Sequence, residues 1–426
     1  MSETPPAPPS TPSSRRLLLG ALPALVIGAV SAFALWLLEH ASSAAEAWMW
    51  SVVPASLGFD GDSWWWILLV LTITGALVGL VVWLAPGHGG FDSATVELMA
   101  PVLPLKALPG VALVIFFALA GGVSLGPESP IIAINTALAV ALLARFVPGL
   151  PQQLVATMAA SATIGAMFGT PVAAALLLTG LLAAQGQGSL WDKLFLPVAA
   201  AGAGAATMIF LGVAPLSLHL PQYDNPSPLD LVTGSLVALF AAGVAIIAVL
   251  IFPATHRLFH RLRHPLIYVT LGGLTLGVLG AIGGPITLFK GVTEMGELVE
   301  SIDSLTVVAL LVIIGIKVLA LVVSASSGFR GGRIFPAVFL GVAIGILGHL
   351  VIPILPLALA VACGVLGMVL VVGRDGWLAL FIATAVTGQI ETLPMLCIVV
   401  LPVWLVARKA PEMIVHVPAE TEPATR

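Results

Sequence analysis

Long apolar runs separated by short polar breaks dominate the chain, at roughly 16–39, 65–85, 108–125, 131–148, 153–182, 193–216, 230–252, 266–284, 304–325, 334–353, 355–373 and 376–407. A membrane span needs about 20 apolar residues. The pattern therefore predicts an all-α membrane protein with about 12–18 membrane helices, several of them short or re-entrant.

Composition agrees: 59% of residues are hydrophobic, 8% are charged and mean hydropathy is +1.12, which excludes a soluble globular domain. Arg15 and Arg16 precede the first run, but that run is long and no small-x-small site closes it, so it reads as a retained span rather than a cleaved signal. Residues 1–14, Pro- and Ser-rich, read as a disordered cytoplasmic tail, and 411–426, ending in "PAETEPATR", as a short cytoplasmic one.

Basic residues cluster at Arg15-Arg16, along "HRLFHRLRH" (256–264) and at Arg408-Lys409, each beside a span. By the positive-inside rule both termini and the central loop face the cytoplasm of a multi-pass protein in the cell membrane. The net charge of −4 adds little, because placement of Lys and Arg matters more than the sum. The two cysteines, Cys363 and Cys397, lie in apolar runs with no His/Cys ligand spacing near them, so neither a disulfide framework nor a metal site is expected.

The pattern repeats. "RLLLGALPALVIGAV" from Arg16 corresponds to "LDLVTGSLVALFAAG" from Leu229, and the helix from Ile67 to that from Leu266. Next come the interrupted segments "GGVSLGPESPIIAINTALA" and "SASSGFRGGRIFPAVFLGV", followed by runs from Ala160 and Ala362. The first unit starts at a cytoplasmic Arg pair, whereas the first helix of the second runs down into the basic loop. The halves, 15–216 and 217–410, are thus expected to be inverted repeats, an arrangement that places a substrate site where matching helices are broken.

The breaks are "APGHGG" (85–90), "LGPESP" (125–130), "AIGGP" (281–285) and "SSGFRGGRIFP" (326–336). Glycine lets backbone approach a solute, and proline starts a helix where a missing N–H costs nothing. Unpaired N–H groups and the positive end of the helix dipole then favour an anion; a cation would need carbonyls and carboxylates instead.

Glu128 sits within such a break. It either caps a helix start, which stabilises by about 0.3–1 kcal/mol, or is itself the tethered anion that occupies and blocks the site. A charge at membrane depth costs several kcal/mol, which favours the functional role.

On "AGGVSLGPESP", "SATIGAMFGTPVAAAL" and "SSGFRGGRIFPAVF", the sequence resembles the chloride channel family, and within it a small bacterial ion-transport branch, over about 16–410. The resemblance implies a homodimer with one anion pathway per subunit, and as substrate a small anion, with protons where transport is coupled. Gly126-Pro127-Glu128-Ser129-Pro130 matches the family's G-R/K-E-G-P motif, which makes Glu128 the gate and Gly126 and Ser129 its neighbours; Pro127 and Ser129 depart from the pattern. Gly332-Arg333-Ile334-Phe335-Pro336 matches G-x-F-x-P, where the N–H groups of Arg333 and Ile334 would bind the anion. Gly87-His88-Gly89-Gly90-Phe91 stands for G-S-G-I-P, with His88 in place of the anion-contacting serine and Gly89 following it.

His88 is then either an anion contact or an interfacial histidine at the mouth, and Arg330 and Arg333 either supply field or snorkel. The family's internal proton glutamate is replaced by Gly180 or Leu181, and its late tyrosine is absent, since the only tyrosines are Tyr223 and Tyr268. Passive, pH-gated conductance and exchange by another proton route both stay open. A cation/proton antiporter is the alternative class, but it would carry paired intramembrane carboxylates, and Asp375 beside Arg374 reads as a loop pair. Enzymatic chemistry, a cofactor and nucleic-acid binding are not expected, because Ser129 beside Glu128 is no nucleophile–base pair.

Overall fold

A computed structural model describes residues 14–146, 149–183, 189–214 and 216–416. Most of the two tails, 1–13 and 417–426, lies outside the described residues. Sixteen α-helices are described: α1 (Ser14–Ala47), α2 (Val53–Leu57), α3 (Trp64–Leu84), α4 (Leu108–Ala120), α5 (Glu128–Phe146), α6 (Gln152–Phe168), α7 (Pro171–Ala183), α8 (Leu190–Phe210), α9 (Pro228–His260), α10 (Pro265–Gly283), α11 (Val292–Glu300), α12 (Val307–Ser326), α13 (Ile334–Val351), α14 (Leu357–Gly373), α15 (Gly376–Thr387) and α16 (Leu393–Ala407). Nine helical segments among the described residues are long and apolar enough to cross a membrane, so the chain is an integral membrane protein.

Two predicted runs divide. The run at 153–182 becomes α6 and α7 because the chain turns through left-handed Gly169 (φ 69°) ahead of Pro171. The run at 376–407 becomes α15 and α16 for the same reason, at Gly388 (φ 65°). Apolarity marks membrane depth, not continuity, so a single left-handed glycine escapes a count of hydrophobic residues.

α13 and α14 form the centre. Every residue from Ile334 through Leu347, and from Leu357 through Val372, is buried, as expected for helices apolar on all sides. Around them, α1, α9 and α16 keep apolar side chains exposed, among them Phe33, Val232, Phe240 and Leu401, facing what would be lipid or a partner.

The packing pattern recurs between halves: α1 with α6 and α8 matches α9 with α14 and α16, and α5 with α6 matches α13 with α14. The most extensive helix pair joins the halves, α3 against α10, with Gly75 against Gly273, Gly79 against Leu266 and Gly277 against Leu68. A β-carbon on Gly75 would sit 2.6 Å from the Val269 carbonyl oxygen and 3.1 Å from the Gly273 Cα, so small residues set the helix separation. Gly75→Val is expected to cost about 1–3 kcal/mol by overpacking, read as a lower melting temperature in detergent.

α9 starts on a capping box: Asp230 Oδ2 accepts from the Ser227 N–H at 2.9 Å and from the Tyr223 hydroxyl at 2.8 Å. Its last turn carries Arg257 and His260, which suit the negative end of the helix dipole. Beyond α16 the chain does not leave the protein at once. Met413 is buried and the Val415 N–H donates to the Ala94 carbonyl at 2.7 Å, so the start of the expected C-terminal tail is a packed segment.

Candidate anion site

The two interrupted segments meet. Gly126 and Gly332 exchange backbone hydrogen bonds (2.9 and 2.7 Å), an isolated antiparallel bridge two residues ahead of both α5 and α13. One short bridge thus ties together the starts of two helices from different halves of the chain.

The Glu128 side chain lies in that junction, fully buried. Oε1 accepts from the Phe335 N–H at 2.8 Å, in the first turn of α13. Oε2 has no hydrogen-bond partner. A β-carbon on Gly126 or Gly332 would collide with the carboxylate, so the absence of a side chain at both positions creates its seat. Buried charge needs compensation, and here unpaired N–H groups at a helix start provide it.

Residues around this seat line two cavities. One of about 360 Å³ is lined by Ser129, Gly332, Arg333 and Ile334, and also by Glu97 and the C-terminal Met413. Another of about 290 Å³ is lined by Phe335 and Lys290. Lys290 pairs with Glu39 at 2.5 Å and stands 5.9 Å from the Phe335 ring centre. Its positive charge acts on Glu128 from that side.

The remaining residues singled out from the sequence are placed less uniformly. Arg333 lines the larger cavity; its Nη2 donates to the Val96 carbonyl at 3.0 Å, while Nη1 is buried without a partner. Arg330 is buried, but Asp92 Oδ2 binds its guanidinium at 2.9 Å and so offsets its field. Asp92 lies in the loop between α3 and α4: burial would raise its pKa, yet the Arg330 guanidinium, the neighbouring His260 and the hydrogen bond from the Ala94 N–H hold it below the usual carboxylate range.

His88 is exposed, and its Nδ1 lies 3.1 Å from the Val82 carbonyl, turned back onto the end of α3. Gly87, His88, Gly89 and Gly90 all have positive φ (74°, 51°, 68° and 88°), which explains three glycines in this loop. Gly89 is buried against Val114. Arg374 and Asp375 do not pair with each other: Arg374 bonds the Ala407 carbonyl, and Asp375 caps α15 through the Leu378 N–H at 2.7 Å. Tyr223 serves the α9 cap and Tyr268 packs on His260.

Three residues escaped sequence reasoning. Phe335 is one: the carboxylate is held one residue further along than the Arg333 and Ile334 pair named from the motif. Ser93 is the second; the carbonyls of Phe329 (2.8 Å) and Gly331 (3.0 Å) share its single O–H, and its Oγ accepts from the Gly331 N–H (2.8 Å), pinning the second broken segment to the first loop. A serine just beyond a glycine-rich break was the available signal. Lys290, the third, follows "AIGGP" and had no sequence signal beyond lying near a break.

A family model described as voltage gated chloride channel matches residues 75–408. "Putative ion-transport protein YfeO" of Escherichia coli (strain K12 / DH10B) and of Escherichia fergusonii are each 44% identical over 412 residues, covering 97% of this chain and 98% of theirs. Among solved structures, a CLC-type fluoride/proton antiporter superposes with TM-score 0.71 at 19% identity over 94% of this chain and 98% of its own. A slow cyanobacterial Cl⁻/H⁺ antiporter does so with TM-score 0.78 at 16% identity, over 92% and 96% respectively. With its helix starts joined at one buried junction and its length covered by these relatives, the chain belongs to the voltage gated chloride channel family.

Proposed function

We propose that the protein moves small anions, chloride foremost, across the cell membrane, and that Glu128 gates the pathway by competing with the anion for the helix start of α13. The observation that carries this reading is a buried carboxylate held by the Phe335 N–H, with one oxygen unpartnered, at a junction whose residues line two cavities. A carboxylate and a halide ask for the same N–H donors. Protonation or displacement of Glu128 vacates the seat for the solute.

The two halves, 15–216 and 217–410, act as inverted repeats that supply one broken helix each, with both termini cytoplasmic and a homodimer as the working unit. Recurrent helix partners support the first point, and the apolar side chains exposed on the outer helices leave room for the last. A cation/proton antiporter fits poorly, because N–H donors rather than carbonyls converge on the junction.

Chloride efflux from proteoliposomes, with reversal potential measured under separate anion and pH gradients, tests the proposal. The expected reversal potential follows the chloride gradient. Dependence on a sodium or potassium gradient alone would overturn it. A further shift with the pH gradient marks exchange with protons, and its absence marks a passive conductance.

A further inference from the structure

Away from the junction, Asp92, His256 and His260 bring one ligand atom each to a common point, all within 4.8 Å of one another. His256 and His260 stand one turn apart near the C-terminal end of α9, their rings stacked at 3.8 Å. Ligands about 2.0–2.2 Å from one ion lie at most about 4.4 Å apart, so small side-chain rotations close the set.

The protonation pattern points the same way. His260 Nδ1 lies 3.0 Å from the His256 carbonyl oxygen, which can only accept, so Nδ1 carries the hydrogen. In the neutral ring Nε2 is then a lone pair, and it faces Asp92 Oδ2 at 3.6 Å. These two atoms can share either a proton or a metal ion, and the 3.6 Å gap is longer than a hydrogen bond needs. A backbone carbonyl on the far ring nitrogen is also the usual outer-shell partner of a metal-bound histidine. Asp92 is held in position, its Oδ1 accepting from the Ala94 N–H at 2.9 Å.

We propose that Asp92, His256 and His260 bind a divalent transition ion of the zinc class, and that the ion competes with Arg330 for Asp92 Oδ2. Two imidazoles and one carboxylate with an open fourth position suit Zn²⁺, Ni²⁺ or Co²⁺. Mg²⁺ and Ca²⁺ want more oxygen ligands than this set offers. The surrounding charges set the affinity: Arg330 already binds the shared oxygen at 2.9 Å, Tyr268 packs against His260, and Arg257, Arg261 and Arg263 share the local chain. Arg330 also lines a small cavity with Ser129, so an ion that loosens its tie to Asp92 acts on residues beside Glu128. The binding site itself stands whether or not the anion reading does.

Calorimetric titration of the full-length, tag-free protein with zinc chloride alone tests this. One Zn²⁺ per chain is expected. His256→Gln with His260→Gln should weaken binding by at least about 100-fold, while Arg330→Gln should tighten it several-fold by removing the competing cation. Absence of saturable binding, unchanged affinity in the double histidine variant, or no tightening in Arg330→Gln would overturn the proposal. Cobalt loading of the unaltered protein gives an independent readout: X-ray absorption should report two imidazole ligands, and a shell of water oxygens alone would refute the site.

Discussion

Glu128→Gln is expected to raise chloride efflux from proteoliposomes about tenfold and to flatten its dependence on pH. Glutamine keeps the size of the side chain and can still accept from the Phe335 N–H, so the seat stays filled by a similar shape. It loses the charge. Hydrogen bonds to an ionised group contribute about 1.5–3 kcal/mol and neutral ones about 0.5–1.5. The difference, about 1.4 kcal/mol, is a factor of ten in competition with an anion.

Protonation has the same effect in the wild-type protein, so its efflux should rise as pH falls, whereas the variant has no proton to gain. Wild-type flux with an intact pH response in Glu128→Gln would show that the gate lies elsewhere.

Gly332→Ala is expected to reduce transport by about 10–100-fold, the equivalent of roughly 1–3 kcal/mol of overpacking at the seat. The added methyl points at the Glu128 carboxylate, and Gly332 also carries both hydrogen bonds of the bridge to Gly126. Its backbone has no positive φ, so alanine introduces no strain of that kind. The loss therefore reports on the space itself. Combining Gly332→Ala with Glu128→Ala removes the carboxylate from the clash, and partial recovery of efflux is the expected result. A double variant as inactive as the single one would mean that the methyl blocks the solute directly; full activity in the single variant would remove Gly332 from the site.

The seat was largely legible in the primary structure, because its parts are local. "LGPES" and "GGRIFP" announce helix starts with glycine ahead of them, and Glu128 is conspicuous in an apolar run. Arg333 was assigned to the site, and it lines the larger cavity with one nitrogen buried and unpartnered. His88 and Arg330 were assigned on the same grounds, yet one is turned onto Val82 and the other is bound by Asp92. Motif spacing reports where a residue falls along the chain; it carries no information on which neighbour its side chain meets first.

Local rules of hydropathy and backbone geometry determined the membrane class, the broken helices and the buried acid, since each depends on residues within a few positions of one another. Only the tertiary structure decided that Gly126 pairs with Gly332, that Phe335 supplies the N–H, that Ser93 pins the second break, and that Asp92 reaches the histidines of α9. Each of these contacts joins segments far apart in the chain. Their energies arise only after the α3–α10 glycine seam and the buried α13–α14 pair have brought the backbones together.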